Sequence, residues 1–161
     1  MSVIDRINEH QGLYVSYVAQ IGDQELVVFF SEARVKKDEQ QEMTFNKGTE
    51  YEVALTGINP VVSDENCQKY KAVFKRFLIY QVIEESCIEW DDAEVFVGKR
   101  FRTFSKSRFL YHIDSHLNID CYQELPEMKH THYQISGLDF IIDVAAQEPP
   151  VIEEVDHFLV K

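Results

Sequence analysis

The residues in this chain that are best suited to chemistry are histidines, because four of its six lie between positions 112 and 132. His112 and His116 are four residues apart, which on a helix would point both rings to one side, as a zinc ion requires. His130 and His132 are two residues apart, which on a strand would place both rings on one face. The first question is whether these side chains form a metal site.

The second pair lies in a predicted hairpin, in which HTHYQI and LDFIIDVA flank a turn at Ser136 and Gly137. A two-residue turn predicts an inward face of apolar residues, namely Tyr133, Ile135, Leu138, Phe140 and Ile142. The outward face would then hold His130 opposite Asp143, with His132 beside them. This arrangement is either a solvated cross-strand pair or a zinc site made of His130, His132 and Asp143.

The first pair requires a helix over residues 106–118, with Ser105 as its N-cap and an apolar face of Phe109, Leu110, Ile113 and Leu117. We expect this face to pack on the inner side of the sheet, away from His130 and His132. The two histidine pairs would then not share one ion. We also expect Asp139 and Asp143 to raise the pKa of both hairpin histidines.

Other chemical motifs are scarce in this sequence. It contains no glycine-rich nucleotide loop, nucleophile elbow or HExxH motif. Cys121 could act as a nucleophile beside a histidine, although a free cysteine more often simply packs. The odd number of cysteines (Cys67, Cys87 and Cys121) without a CxxC pair favours free thiols in a reducing compartment. With no signal peptide and no apolar run near the ~20 residues that span a bilayer, the sequence predicts a cytoplasmic protein without membrane contact.

Charge is the strongest global feature of the chain. It has 28 acidic and 16 basic residues, a net charge of −12. Such a surface repels nucleic acid and anionic lipid and attracts a basic protein, although many acidic proteins are charged only for solubility. The basic stretch 98–109 interleaves phenylalanine with Lys and Arg, as in single-strand nucleic-acid sites. Because alternation sends Phe101 inward, we expect these basic residues to neutralise the chain's own acidic surplus.

The acidic surplus is concentrated in residues 84–94, EESCIEWDDAE, which contain no basic residue and hold the only tryptophan. An aromatic anchor among like charges is what a site for a basic partner needs, since the ring supplies contact area and the carboxylates supply steering. The candidate partner-binding residues are Glu84, Glu85, Glu89, Trp90, Asp91, Asp92 and Glu94. The alternative is a solvated acidic loop with Trp90 packed in the core.

Strand patterns dominate the elements that must position these residues. Alternating β-branched and aromatic residues predict strands, with helix limited to residues 106–118 and a short segment at 3–10. Short connections favour antiparallel pairing. The sequence therefore predicts a single α+β domain, 1–161, with a mainly antiparallel curved sheet or open barrel and one or two short helices. The predicted strands cover residues 12–21, 24–33, 49–58, 70–86, 98–105, 130–135 and 138–145, and a last short apolar run follows at 151–155.

Two segments of the second half also support a resemblance. FLIYQVIEESCIEWDDAEVFVGKRFRTFSKSRFLYHI and the later GLDFIIDV resemble segments of a group of small, acidic, largely uncharacterised bacterial proteins. Some small acidic proteins of this kind are immunity proteins that neutralise a secreted toxin. The resemblance implies a toxin-like partner and assigns no functional residue.

Three interpretations follow from these observations. The first is a non-catalytic, immunity-like binding protein that engages a basic protein partner through an acidic surface and needs no cofactor. The second is a small metal-dependent enzyme that uses zinc at His130, His132 and Asp143. The third is an interaction subunit of a larger assembly, with the exposed sheet face as its interface.

Overall fold

The computed structural model describes residues 1–116 and 129–158. Its architecture is α+β and mainly antiparallel, as predicted, with the strands divided among two five-stranded sheets and a two-stranded arm. No helix in the described ranges is long and apolar enough to cross a membrane. The helices are α1 (Val3–Glu9) and α2 (Arg108–His116), and the strands are β1 (Gly12–Ile21), β2 (Glu25–Val35), β3 (Gln41–Phe45), β4 (Val53–Ile58), β5 (Val61–Val62), β6 (Lys69–Lys75), β7 (Phe77–Glu84), β8 (Val95–Val97), β9 (Phe101–Lys106), β10 (Thr131–Ser136), β11 (Phe140–Ala146) and β12 (Val151–Val155).

The first sheet has the order β1-β2-β6-β12, with β5 paired to β2, and the second has the order β7-β11-β10-β9-β8. Their inner faces share one hydrophobic core, in which Phe30, Tyr70 and Phe74 of the first sheet meet Tyr133, Ile135 and Ile142 of the second. Helix α1 adds the fully buried Ile7 to this core. The molecule is therefore built around one layer of side chains between two sheets, as in a β-sandwich.

Residues 70–86, predicted as one long strand, form two strands in different sheets. Arg76 separates β6 from β7 and has a left-handed backbone, with φ of 52°. Its N–H donates to the Gln24 carbonyl in the first sheet, and its own carbonyl accepts from the Gln147 N–H. This single residue turns the chain from one sheet to the other, and the regular alternation on both sides of it hides the break in the sequence.

The C-terminal hairpin forms, but the predicted register is wrong. Tyr133 pairs with Val144 instead of Phe140, and Ser136 pairs with Ile141. The turn lies two residues further along the chain than predicted, because the Gly137 N–H donates to the Phe140 carbonyl around Leu138 and Asp139. The Asp139 carboxylate accepts from the backbone N–H groups of Val15 and Phe140. The register is shifted by an even number of residues, so the same side chains still face inward. Tyr133, Ile135 and Ile142 are therefore buried, as predicted. The shift leaves Leu138 and Phe140 at the turn, where they are 40% and 41% exposed.

Helix α2 packs on the outer face of the second sheet and not on the inner face as predicted. Phe109 and Ile113 are buried there against Ala145, with Leu78 and Ile79 at the border. The N-cap of α2 is Ser107 instead of Ser105, since the Ser107 hydroxyl accepts from the Leu110 N–H at 3.1 Å. The inner face already has a partner in the first sheet, so the helix can cover only the outer one.

Candidate functional site

The acidic segment 84–94, which we call the acidic strap, crosses the second sheet. Strand β7 ends at Glu84, opposite Phe140, on one edge of that sheet. Strand β8 begins at Val95, opposite Lys106, on the other edge and at the other end of the strands. The strap, which carries the seven predicted partner-binding residues, therefore runs diagonally from one edge of the sheet to the other over its outer face.

Trp90 is neither buried in the core nor detached from the fold. Its side chain is 48% exposed, and the Arg102 guanidinium carbon lies 4.8 Å from the centre of its ring. The same carbon lies 4.6 Å from the centre of the Phe96 ring. Cation–π contacts to two rings hold the indole in one place while part of it still faces solvent. The alternative of a core tryptophan is therefore wrong.

Arg108, the first residue of α2, attaches the C-terminal half of the strap. Its Nε donates to the Asp91 carboxylate at 2.8 Å, and its backbone N–H donates to Glu94 at 2.9 Å. The Ala93 backbone N–H and then the Arg108 guanidinium hold the pKa of Asp91 below its ordinary value. Glu94 also lies where a helix N-terminus favours negative charge. As expected, basic residues of the stretch 98–109 neutralise part of the chain's acidic surplus.

Four other carboxylates of the strap, those of Glu84, Glu85, Glu89 and Asp92, are exposed. Glu89 also lies 3.6 Å from the Arg108 guanidinium. Glu84 accepts from the Ser86 hydroxyl at 2.6 Å, and this bond, with one from the Cys87 thiol, lowers the pKa of Glu84. The strap thus presents a half-exposed aromatic ring in a segment with exposed carboxylates, and Arg102 and Arg108 hold this segment against the fold.

A buried polar network lies beneath the strap. The Asp143 carboxylate accepts three hydrogen bonds, from Gln81 at 2.8 Å, from Gln134 at 2.8 Å and from His132 at 2.9 Å. Gln134 in turn accepts from Arg102 at 3.0 Å. The Arg102 side chain therefore joins the buried carboxylate to the surface tryptophan. Alternation along β10 places Gln134 beside His132, but neither Gln81 nor Arg102 could be assigned to this network from sequence spacing alone.

The other ring nitrogen of His132 reaches the cap of α2. Its Nδ1 lies 2.9 Å from the Ser107 hydroxyl, which already accepts from the Leu110 N–H. The hydroxyl therefore donates to Nδ1, and Nε2 carries the proton that goes to Asp143. This assignment of the tautomer follows from the partners.

Ser107, His132 and Asp143 are the residue types of a hydrolytic triad, but their surroundings oppose that chemistry. His132 is 2% exposed and Ser107 is 6% exposed. The imidazole ring stacks on Phe104 with ring centres 4.1 Å apart. An open groove of about 400 Å³ beside Ser107 is lined by both acidic and basic side chains, those of Asp91, Glu94, Asp114, Lys106 and Arg108. Because the Ser107 hydroxyl is buried and bonded to both Leu110 and His132, the network joins the helix to the sheet.

The predicted zinc ligands do not come together as a site. His132 uses both nitrogens for Ser107 and Asp143. His130 precedes β10, and Asp143 lies opposite Gln134 instead of His130. Burial lowers the pKa of His130, against an opposing effect of Asp114, so the prediction that Asp139 and Asp143 raise it is wrong.

The remaining histidines and cysteines also give no metal centre in the described part of the chain. His112 and His116 are exposed on α2, with their rings stacked 4.9 Å apart. Residues 1–116 and 129–158 contain no group of three or more His, Cys, Asp or Glu side chains that could hold a metal ion. The candidate nucleophile Cys121 and the apolar Leu117 lie outside the described residues.

Comparison of the chain with models of protein families, with curated proteins and with solved structures gives no match.

Proposed function

We propose that this protein is a non-catalytic binding protein that engages a basic protein partner through the acidic strap. The observation that supports the proposal is a half-exposed tryptophan that Arg102 holds in place, in a segment that also carries exposed carboxylates. In protein interfaces, a large aromatic ring at the centre usually supplies affinity, and charges at the rim steer the partner toward the site.

The contacts beneath the strap favour binding because they fix it before a partner arrives. Arg102 holds the indole of Trp90, and Gln134 holds Arg102. Arg108 fixes the backbone through Asp91 and Glu94. A surface that is already ordered loses less conformational entropy on association than a flexible loop.

The charge of the whole chain specifies the chemistry of the partner. A net charge of −12 attracts a protein with a basic surface and repels nucleic acid and other acidic proteins. A basic secreted toxin is the partner class that we propose first, which would make the protein immunity-like. The outer face of the second sheet carries α2 and the strap.

Site-specific photo-crosslinking tests this proposal. A photoreactive phenylalanine analogue would replace Trp90 in the full-length protein in its native cells. The matched control carries the analogue at Tyr17, which is 40% exposed on β1 of the other sheet. We expect one basic protein to crosslink from position 90 and not from position 17, and the crosslink to weaken when Glu89 and Asp92 are changed to Gln and Asn. An acidic partner, or equal crosslinking from both positions, would contradict the proposal.

A further inference from the structure

The strands β3 and β4 form a two-stranded ribbon, here called the β-arm, that stands apart from both sheets. Every residue of its two strands is exposed except Ile58, which is half-buried. An isolated two-stranded hairpin is only marginally stable in water. The arm therefore presents a surface that the described part of the chain leaves uncovered.

The two faces of the β-arm differ in chemistry. Met43 pairs with Leu55 and Phe45 pairs with Val53, so these four apolar side chains share one face. They are 44–51% exposed (Met43 44%, Leu55 45%, Phe45 46%, Val53 51%). Thr44 pairs with Ala54 on the other face, and alternation places Glu42 and Glu52 on that face too. The arm is an amphipathic ribbon whose apolar face points into solvent.

The base of the β-arm and the beginning of the acidic strap lie at the same end of the two sheets. The Val35 N–H, where the arm leaves β2, donates to the Gln11 side chain at 3.3 Å. Two residues further along, the Leu13 carbonyl accepts from Leu138 in the turn of the second sheet. The next residue of that turn, Asp139, accepts from the Glu85 N–H of the strap. One partner could therefore contact both elements.

Area and charge decide what the arm would contact. A ribbon two strands wide and about five residues long has a face on the order of 170 Å². This is far below the roughly 800 Å² per partner of a stable interface, so the arm alone cannot hold two copies together. Two chains of net charge −12 also repel each other. The arm itself carries Glu42, Glu50 and Glu52 against Lys47, which favours a basic partner.

We propose that the β-arm is a second contact for the basic partner of the acidic strap, and that its apolar face packs on an apolar strip flanked by Lys or Arg. This inference rests on the proposed function. It identifies the partner surface more closely, as basic residues alternating with apolar ones next to the region that the strap engages.

Two synthetic peptides test the role of the arm on the full-length protein. In the first, six lysines alternate with valines, and in the second, six lysines alternate with serines, so that the charge is equal and only the apolar strip differs. Fluorescence anisotropy would give the affinity of each peptide. We expect the valine peptide to bind about tenfold more tightly than the serine peptide. Equal affinities would overturn the inference.

Substitutions on the two faces of the arm test whether its apolar face causes the difference in affinity between the two peptides. The double change Phe45→Ser and Leu55→Ser should reduce binding of the valine peptide to the level of the serine peptide, without changing binding of the latter. The matched control, Thr44→Ser with Ala54→Ser, changes the opposite face and should alter neither affinity. Circular dichroism would verify that each variant is folded. Unchanged binding of the valine peptide to the first variant would overturn the role of the arm.

The same titration separates this inference from the function on which it rests. Changing Glu89 and Asp92 to Gln and Asn should weaken both peptides. If these changes have no effect while the arm variant still does, the role of the strap fails and the contact by the arm stands. Sedimentation equilibrium tests the alternative that a second copy of the chain covers the arm. A dimer that Phe45→Ser dissociates would show that it does, and a monomer supports the basic partner.

Discussion

At the scale of single residues, Asp143 shows how the interior holds a carboxylate. It is 3% exposed and accepts hydrogen bonds from Gln81, Gln134 and His132. A buried charge without such donors would cost several kcal/mol. The pairing of β10 with β11 and of β11 with β7 supplies all three donors from adjacent strands.

Changing Asp143 to Asn should therefore destabilise the protein by about 2–3 kcal/mol. The amide nitrogen would face either the donor of Gln81 or the donors of Gln134 and His132, so at least one buried bond would be lost. Urea denaturation measures the free energy of unfolding. The same chemical change at the exposed Asp92 is the control, with an expected effect within about 0.5 kcal/mol. Equal effects at both positions would show that the network does not stabilise the fold.

The pH dependence of stability should reflect the burial of His130. Burial lowers its folded-state pKa below the ordinary value of 6.5, so the folded protein binds a proton less readily than the unfolded chain. Stability from this group is present above pH 6.5 and is lost as pH falls through the folded pKa. Changing His130 to Gln should make the free energy of unfolding at pH 7.5 minus that at pH 5.5 smaller than in the wild type. A larger difference in the variant would mean that the folded-state pKa of His130 is raised.

At the scale of elements, Ser107 joins α2 to the second sheet through two hydrogen bonds. Its hydroxyl caps the helix at Leu110 and donates to His132. Changing Ser107 to Ala should therefore cost about 2 kcal/mol, since a helix cap and a buried bond are both lost. Ser115→Ala on the exposed side of α2 is the control and should be nearly neutral. Thermal unfolding compares the two, and an equal melting temperature would contradict the account of Ser107.

The same two elements show what the sequence could and could not predict. Alternation in HTHYQI and LDFIIDVA correctly separated the Tyr133 face from the His132 face, because the side-chain period of a strand is local. It could not predict the register, which depends on hydrogen bonds of Asp139 to Val15, a residue far away in the chain. It also could not predict that the polar face is covered, because the position of α2 depends on the first sheet occupying the inner face.

The strap illustrates the same limit. Its composition indicates carboxylates in water, and Glu84, Glu85, Glu89 and Asp92 are exposed. Its path and attachment depend on Arg102 and Arg108, which follow it in sequence and belong to other elements. The division of residues 70–86 into two strands at Arg76 could not be predicted either, because apolar and polar residues alternate in the same way on both sides of Arg76.

At the scale of the whole molecule, the account predicts that folding and binding use different parts of the chain. The core lies between the two sheets, while the strap lies on an outer face. Charge and aromatic substitutions in the strap should therefore leave the fold nearly intact and act on association with a basic partner. The most direct test is the kinetics of binding between this protein and the basic protein that crosslinks at position 90.

In that measurement, Trp90→Ala should cost about 2 kcal/mol or more of binding free energy, mostly through faster dissociation. Changing Glu89 and Asp92 to Gln and Asn should instead slow association and flatten its dependence on salt. Equal charge changes at Asp23 and Glu65, which are exposed on other parts of the molecule, should have smaller effects. The account is contradicted if Trp90→Ala unfolds the protein while the strap and control charge changes alter the association rate equally.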